Sequence, residues 1–354
     1  MITPLDDKGS SFFSLVDEND KATGILFYKS RHKTFGFEIV HPYYPMFGFC
    51  SFKEFPKDEP PIVFEKIIGW CHHYRNPERF GIPLSKPTIL LTFSDFIDTD
   101  LFVPSNKPPE YDFSYVVNPM HTPFQRKDPT RKNWKKAIEE YLPFMCLKLT
   151  LKGLLIGKTA EDIPANLRSY IQCTGAVDLM SMPALLSSAK FSFVPSIIDA
   201  SPRVITESLS VNRPVLVHAD ILGGWQYVTE ETGAFFSSCR DLPDAIDTVL
   251  RMKCNGRTHF LGRGGGKVQA GKRLYDFVRS SYPQAPAAKY YGLKPIKDRD
   301  IPEWNKVWQS TKHRRCAAEE APMLPSALLP MARALLRRLR LSLAGLLSWR
   351  RPNR

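Results

Sequence analysis

The sequence predicts an α/β protein with a parallel sheet, organised in two domains. Three observations predict it. The stretch 190–236 runs through Phe191-Ser192-Phe193-Val194, a polar Asp199-Ala200-Ser201 turn, a helical pattern, the apolar Pro214-Val215-Leu216-Val217 and a Gly223-Gly224-Trp225 turn. Strand, loop, helix, strand is the order a parallel α/β sheet requires. Further apolar runs of strand length, at 111–117 and 147–156, alternate with helical patterns upstream of it. A chain of 354 residues has room for two cores.

Composition narrows the function classes. Net charge is +13, but the segment 312–354 carries ten Lys/Arg against two Glu, so +8 of it, leaving +5 for the rest. The folded body is only mildly basic, and no nucleic-acid partner is expected. Seven scattered cysteines without a CxxC argue against a disulfide framework or a zinc site and favour a reducing compartment. The acidic N-terminus lacks the basic and apolar regions of a secretory signal, and no uncharged apolar run reaches about 18 residues. A cytoplasmic protein is expected, with peripheral membrane contact open through its tail.

Taken in order, Thr23–Tyr28 reads as a strand, and 40–60, rich in Pro, Tyr and Phe, as irregular loop. Phe64, Ile67, Ile68 and Cys71 lie at helical spacing and predict a helix over 63–73. His72 and His73 would end it; neighbours on a helix point about 100° apart, so they form no two-ligand face. Packing roles, or one of them lining a cleft, both stay open. Residues 87–93 predict a buried strand. Asp98-Thr99-Asp100 has a form that holds a metal beneath a nucleotide diphosphate in some sugar transferases. With Leu101-Phe102-Val103-Pro104 following, it reads instead as an interdomain connection packing on a core, and no metal site is expected.

Tyr111–Val117 opens a second αβ series. The basic loop after it, with Arg126, Lys127, Arg131, Lys132 and Lys135, lies between strand end and helix, where a phosphate would sit or where solvent would simply cover it. A helix over 133–141, a strand over 147–156, a helix over 163–171 and a short helix over 178–188 follow. Farther on, helices are predicted at 244–252 and 271–281. From Gly266 the spacing matches a phosphate loop up to its last position, where Arg273 replaces the required Ser/Thr, so that motif is rejected. The expected domains are 1–103, 104–283, a linker 284–322 and a tail 323–354. In 326–349, seven leucines fall within about 120° of a helical wheel beside Arg333, Arg337 and Arg340, as in a helix lying at a membrane interface, docking on protein, or staying disordered.

The chemistry concentrates at 199–207. Ser201 before Pro202 is a strong helix start, with a hydroxyl cap and proline at the first helical position. The free N–H groups beyond it, with Arg203 nearby, can receive a phosphate or a polarised sugar oxygen. Asp199 and Glu207 can flank one ligand, and carboxylates suit paired sugar hydroxyls; equally, Asp199 can be a turn residue and Glu207 a surface position.

The run from Val194 to Trp225 resembles the donor-site signature of GT-B fold glycosyltransferases, family-4-like (glycosyl transferase group 1). The signature is a strand ending in Pro-Ser, two acidic residues eight apart, a second strand and a Gly-Gly turn. Arg131-Lys132-Asn133-Trp134 is similar to the segment whose lysine contacts the donor diphosphate, and Phe96–Pro104 to the interdomain connection. The resemblance covers about 95–283. It implies a GT-B-like fold: a complete C-terminal Rossmann-like donor domain with a reduced N-terminal α/β domain. It implies a retaining, metal-independent transferase of hexose from a nucleotide-diphosphate sugar, used as co-substrate, with no cofactor. The acceptor is open between glycan, lipid and protein. Asp199 and Lys132 take catalytic positions. Glu207, Ser201, Pro202, Arg203, Arg126, Gly223 and Gly224 take donor-binding ones, and His72 and His73 are offered for the acceptor side.

Four departures stand against the pattern. Asp199 replaces the first Glu. Val117-Asn118 stands where glycine-arginine is usual. Trp225-Gln226 stands where an acidic residue follows the glycines. Only about 100 residues precede the connection, without a glycine-rich first loop. The short N-terminal half and the missing arginine motivate one alternative, a non-catalytic sugar-nucleotide or glycan-binding relative; the basic tail motivates a weaker one, a membrane- or polyanion-binding protein acting through it.

Overall fold

The structure, a computed structural model, describes residues 12–29, 37–38, 40–50, 56, 59–117, 131–296 and 301–302. Arg126, the rest of the basic loop 118–130 and the tail helix proposed at 326–349 lie outside the described residues.

The first sheet starts from a hairpin of β1 (Phe12–Val16) and β2 (Ala22–Tyr28). Asp17 makes the turn: its Oδ1 accepts the N–H groups of Asn19 and Lys21, at 2.9 and 3.0 Å. From β2 the sheet continues in parallel through β3 (Met46–Phe49), β4 (Trp70–His72) and β5 (Thr88–Leu90). Two expectations change here. The aromatic stretch 40–60 contains a buried strand. The helix expected over 63–73 is split into α1 (Pro61–Lys66) and β4, because the backbone turns extended at Ile67 and Trp70-Cys71-His72 pairs between β3 and β5.

The second sheet is parallel throughout, in β6 (Tyr111–Val116), β7 (Gly153–Ile156), β8 (Ile171–Cys173), β9 (Ala189–Val194), β10 (Val215–His218) and β11 (Gly233–Phe236). Its spatial order is β11-β10-β9-β6-β7-β8. Counted within the sheet, this is the doubly wound order 3-2-1-4-5-6, whose direction reverses between β6 and β9. The connections carry a helical segment α2 (134–148, largely in wide π-type turns), α3 (Met182–Ser187), α4 (Arg203–Ser210) and α5 (Leu242–Arg251). The strand expected over 147–156 is only its second half, since 144–148 completes α2. The helix expected over 163–171 is a pair of short 3-10 turns running into β8.

Strand alternation places the two faces. Phe191 and Phe193 of β9 pack with Tyr141, Phe236 and Leu242 on one face. Val194 packs with Ile205, Leu209 and Val217 on the other.

The chain then returns to the first sheet. α6 (Gly256–Gly262) leads to α7 (Lys267–Ser281), and β12 (Gly292–Ile296) pairs antiparallel with β1. Ala270, Leu274, Phe277 and Val278 of α7, with Tyr291 and Leu293, share one core with Phe13, Leu15, Phe27, Phe47 and Phe49. Residues 267–296, divided by the sequence reading between second domain and linker, therefore pack on the first sheet. Among the described residues no helix is long and apolar enough to cross a membrane.

Candidate active site

The topological switch point between β6 and β9 is where open α/β sheets leave a crevice beyond their strand ends. A cleft of about 350 Å³ opens there. Val116 and Val117 at the end of β6 and Gly157 after β7 line it, as do Asp178, Lys132, Asp199, Ser201, Arg203 and Glu207. The sequence separates Lys132 from Asp199 by 67 positions, and the fold joins them: Lys132 Nζ forms an ion pair with Asp199 Oδ2, both side chains less than a fifth exposed.

Lys132 is held by its backbone. It and Asn133 sit at φ 68° and 54°, the left-handed region, just before α2. Tyr115 Oη donates to the Lys132 carbonyl at 2.7 Å, and Asn133 Nδ2 donates to the Pro195 carbonyl at 3.1 Å. Tyr115 and Asn133 were not singled out from the sequence. The signal available was the Asn, a residue that tolerates this backbone region, at the start of a helix.

Asp199 lies in the loop between β9 and α4. Its Oδ1 accepts the Ser201 N–H at 3.3 Å, and its carbonyl accepts the Gly223 N–H at 3.0 Å. Gly223 and Gly224 lie behind this loop. A Cβ on Gly223 would stand 2.0 Å from the Ala200 carbonyl oxygen, and Gly224 takes φ +75° against Pro202 and Ile205. Their place in the structure is to let the turn approach the Asp199 loop.

The start of α4 differs from the expectation. Pro202, at φ −74° and ψ 86°, is the residue before the helix, and among the described residues no side chain caps it. The Ser201 hydroxyl accepts instead from the Ser94 N–H at 2.8 Å, and Thr206 Oγ1 donates to the Ser94 carbonyl at 2.8 Å. The 92–95 segment thus clamps the first turn from outside. Since proline has no N–H, the Arg203 and Val204 amides are the first that this helix end can offer a ligand. Glu207 is buried on α4, and its Oε1 lies 3.3 Å from Arg203 Nε. Burial raises its carboxyl above the usual carboxylate range, against the opposing charges of Arg203 and Lys132.

On the first sheet, His72 ends β4 and His73 follows it, both buried. His73 Nδ1 lies 3.0 Å from the Cys50 carbonyl oxygen, while its Nε2 is buried with no partner among the described residues. Burial pushes both imidazoles down to about 4; for His73 the Cys50 carbonyl and, more weakly, the Asp199 carboxylate pull the other way. His72 and His73 do not line the cleft itself.

Asp98 Oδ1 accepts the N–H groups of Asp100 and Leu101, at 3.0 and 3.3 Å, so it caps its own turn. Ile97 and Phe102 beside it are core residues. Arg273 also has a structural place: its guanidinium donates to the fully buried Asp95 at 3.1 Å and to the Leu90 carbonyl at 2.6 Å. Among the described residues, no three His, Cys, Asp or Glu side chains converge as a metal site.

No family model and no curated protein matches the sequence. Solved structures do match the fold. Sucrose-phosphate synthase from Thermosynechococcus elongatus is 15% identical over 71% of each chain, with a TM-score of 0.53. A glycosyltransferase from Rickettsia africae is 12% identical, over 73% of this chain and 77% of its own, with a TM-score of 0.53. The Anabaena protein HepE, solved in complex with UDP, is 10% identical, over 72% and 78%, with a TM-score of 0.52. The chain shares the two-sheet GT-B fold of these glycosyltransferases.

Proposed function

We propose that the chain is a retaining, metal-independent glycosyltransferase that moves a hexose from a nucleotide-diphosphate sugar to an acceptor. The observation that carries this reading is the Lys132–Asp199 pair, set in the switch-point cleft beside the first amides of α4. UDP bound to HepE, a fold neighbour, supports a nucleoside diphosphate as the ligand.

In this reading Lys132, Arg203 and the α4 amides receive the diphosphate and stabilise its charge as it leaves, the work a metal does elsewhere. Glu207 accepts from the ribose hydroxyls. Asp199 orients the sugar, and an arriving diphosphate competes with Asp199 for Lys132. The bond from the anomeric carbon to the phosphate oxygen breaks. The acceptor oxygen bonds that carbon from the same face and passes its proton to the departing phosphate. His73 stands for the acceptor side. Peripheral membrane contact through 326–349 belongs to location, so removing 323–354 is expected to leave transfer intact.

A thermal-shift screen against UDP-, GDP- and ADP-sugars tests the reading. A true donor at about 100 times its dissociation constant stabilises by about 2.7 kcal/mol. Asp199→Ala and Glu207→Ala are each expected to abolish donor turnover with the fold retained. Wild-type-like transfer in both sinks the assignment, and binding without transfer or hydrolysis favours the non-catalytic alternative.

A further inference from the structure

A second set of contacts joins the two sheets away from the Lys132–Asp199 pair. After β4 the chain runs His73-Tyr74-Arg75. The His73 ring touches its own half of the molecule, through the Cys50 carbonyl and the Tyr74 ring. Its backbone carbonyl is held by the other half: Trp225 Nε1 donates to it at 3.1 Å. Two residues on, Arg75 Nη1 donates to the Ala219 carbonyl, just past β10, at 3.0 Å. The Arg75 guanidinium carbon lies 5.3 Å from the Trp225 ring centre and 5.8 Å from that of Phe235 on β11. One exposed cation is thus shared by two aromatic faces, one on the turn after β10 and one on β11.

Trp225 is one of the positions where the sequence departs from the pattern it resembles. An acidic side chain there has no proton to give a carbonyl, whereas an indole N–H is a donor only. The Trp225 indole supplies that N–H to the His73 carbonyl.

We propose that Trp225 and Arg75 are positioning residues, a clasp that fixes the His73 loop of the first sheet on the chain that follows β10. Neither lines the cleft, so they act through the loop that carries the imidazole. The kinetic consequence rests on the glycosyltransferase reading; the placement of the ring does not.

The test uses the full chain with isotope-labelled histidine, the His73 ring resonances being identified by their loss in His73→Gln. In the parent, Asp199→Asn is expected to move those resonances, since the carboxylate acts on the ring. The ring is expected to titrate well below ordinary histidine, with His72 and Asp199 the ionisable groups acting on it. In Arg75→Ala and Trp225→Ala, the response to Asp199→Asn is expected to fade, and the titration to move up because the freed ring loses the burial that is the largest cause of its low value. Trp225→Phe keeps a ring beneath Arg75 and removes only the N–H, and the same uncoupling is expected. Transfer by these variants is expected to fall by up to about 100-fold in kcat, as for a small misplacement near reacting groups, with nucleoside diphosphate binding unchanged.

His73 resonances and titration that stay at parent values in all three variants overturn the clasp, even if melting temperatures fall. If the parent binds no nucleoside diphosphate, the functional reading fails while the resonance measurement still decides the clasp.

Discussion

Lys132 and Asn133 are adjacent non-glycine residues in the left-handed region, a conformation that costs on the order of 1–3 kcal/mol per residue when surroundings impose it. The Tyr115 hydroxyl and the Asn133 amide hold them there, and the result is an ammonium fixed on Asp199. Glu207 shows the complementary device, a carboxylate kept in a buried place. Its raised pKa means that the folded protein binds this proton where an exposed carboxylate, at about 4.3, is already ionised. The folded state then holds more protons than the unfolded one, so this group's contribution to stability falls as pH rises from the ordinary value through the raised one. If the ionised form holds the ribose, nucleotide affinity should weaken on acidification at a higher pH than an exposed carboxylate would dictate. Titration calorimetry from pH 7 downward should show that loss, and Glu207→Gln should bind weakly with a flat profile. At this scale the sequence showed residue types but not strain. Lys132 was legible through its resemblance, whereas Tyr115 was visible only as one more strand aromatic.

At the scale of elements, the site is a loop and a helix start braced from two sides. The Gly223-Gly224 turn supports the Asp199 loop, with Leu222 N–H on the Ile197 carbonyl at 3.1 Å and Gly223 N–H on that of Asp199 at 3.0 Å. Gly223→Ala would drive a methyl into the Ala200 carbonyl. It is expected to cost about 1–3 kcal/mol in urea unfolding, the usual scale for overpacking. It should also weaken nucleotide binding by displacing Asp199; unchanged stability and binding would refute this bracing role.

Strands β9 and β10 and helices α4 and α5 were legible, because alternating apolar runs, a turn and a helical face coincide in short range. The 63–73 segment was not. Its apolar residues fit helical spacing, but Trp70-Cys71-His72 gains its hydrogen bonds from β3 and β5, which no local pattern reveals. Likewise Ser201 followed by proline has the form of a cap, yet its hydroxyl serves Ser94, 107 positions away.

At the scale of the molecule, Asp95 ties the sheets together. It is fully buried, accepting from Thr92, from Tyr227 Oη at 2.5 Å and from Arg273 at 3.1 Å. Removing one partner of a buried pair strands the other charge, at a typical cost of about 3–5 kcal/mol. Arg273→Ala is expected to lose stability on that scale by equilibrium unfolding, with a loss below about 1 kcal/mol marking the pair as dispensable. In the sequence Arg273 was only the residue that spoiled a phosphate loop; its partner is 178 positions upstream.

The return of the chain to the first sheet has a consequence for how the protein is made. β1 needs β12 along one edge, and about 200 residues separate β5 from that last strand. At ribosomal speeds of about 5–20 residues per second, roughly 10–40 s pass before it emerges. Throughout that interval the apolar Phe12-Phe13-Ser14-Leu15-Val16 strand presents an open edge, the kind of surface that recruits other chains. A nascent chain stalled within the second sheet is therefore the form of this protein most in need of a chaperone.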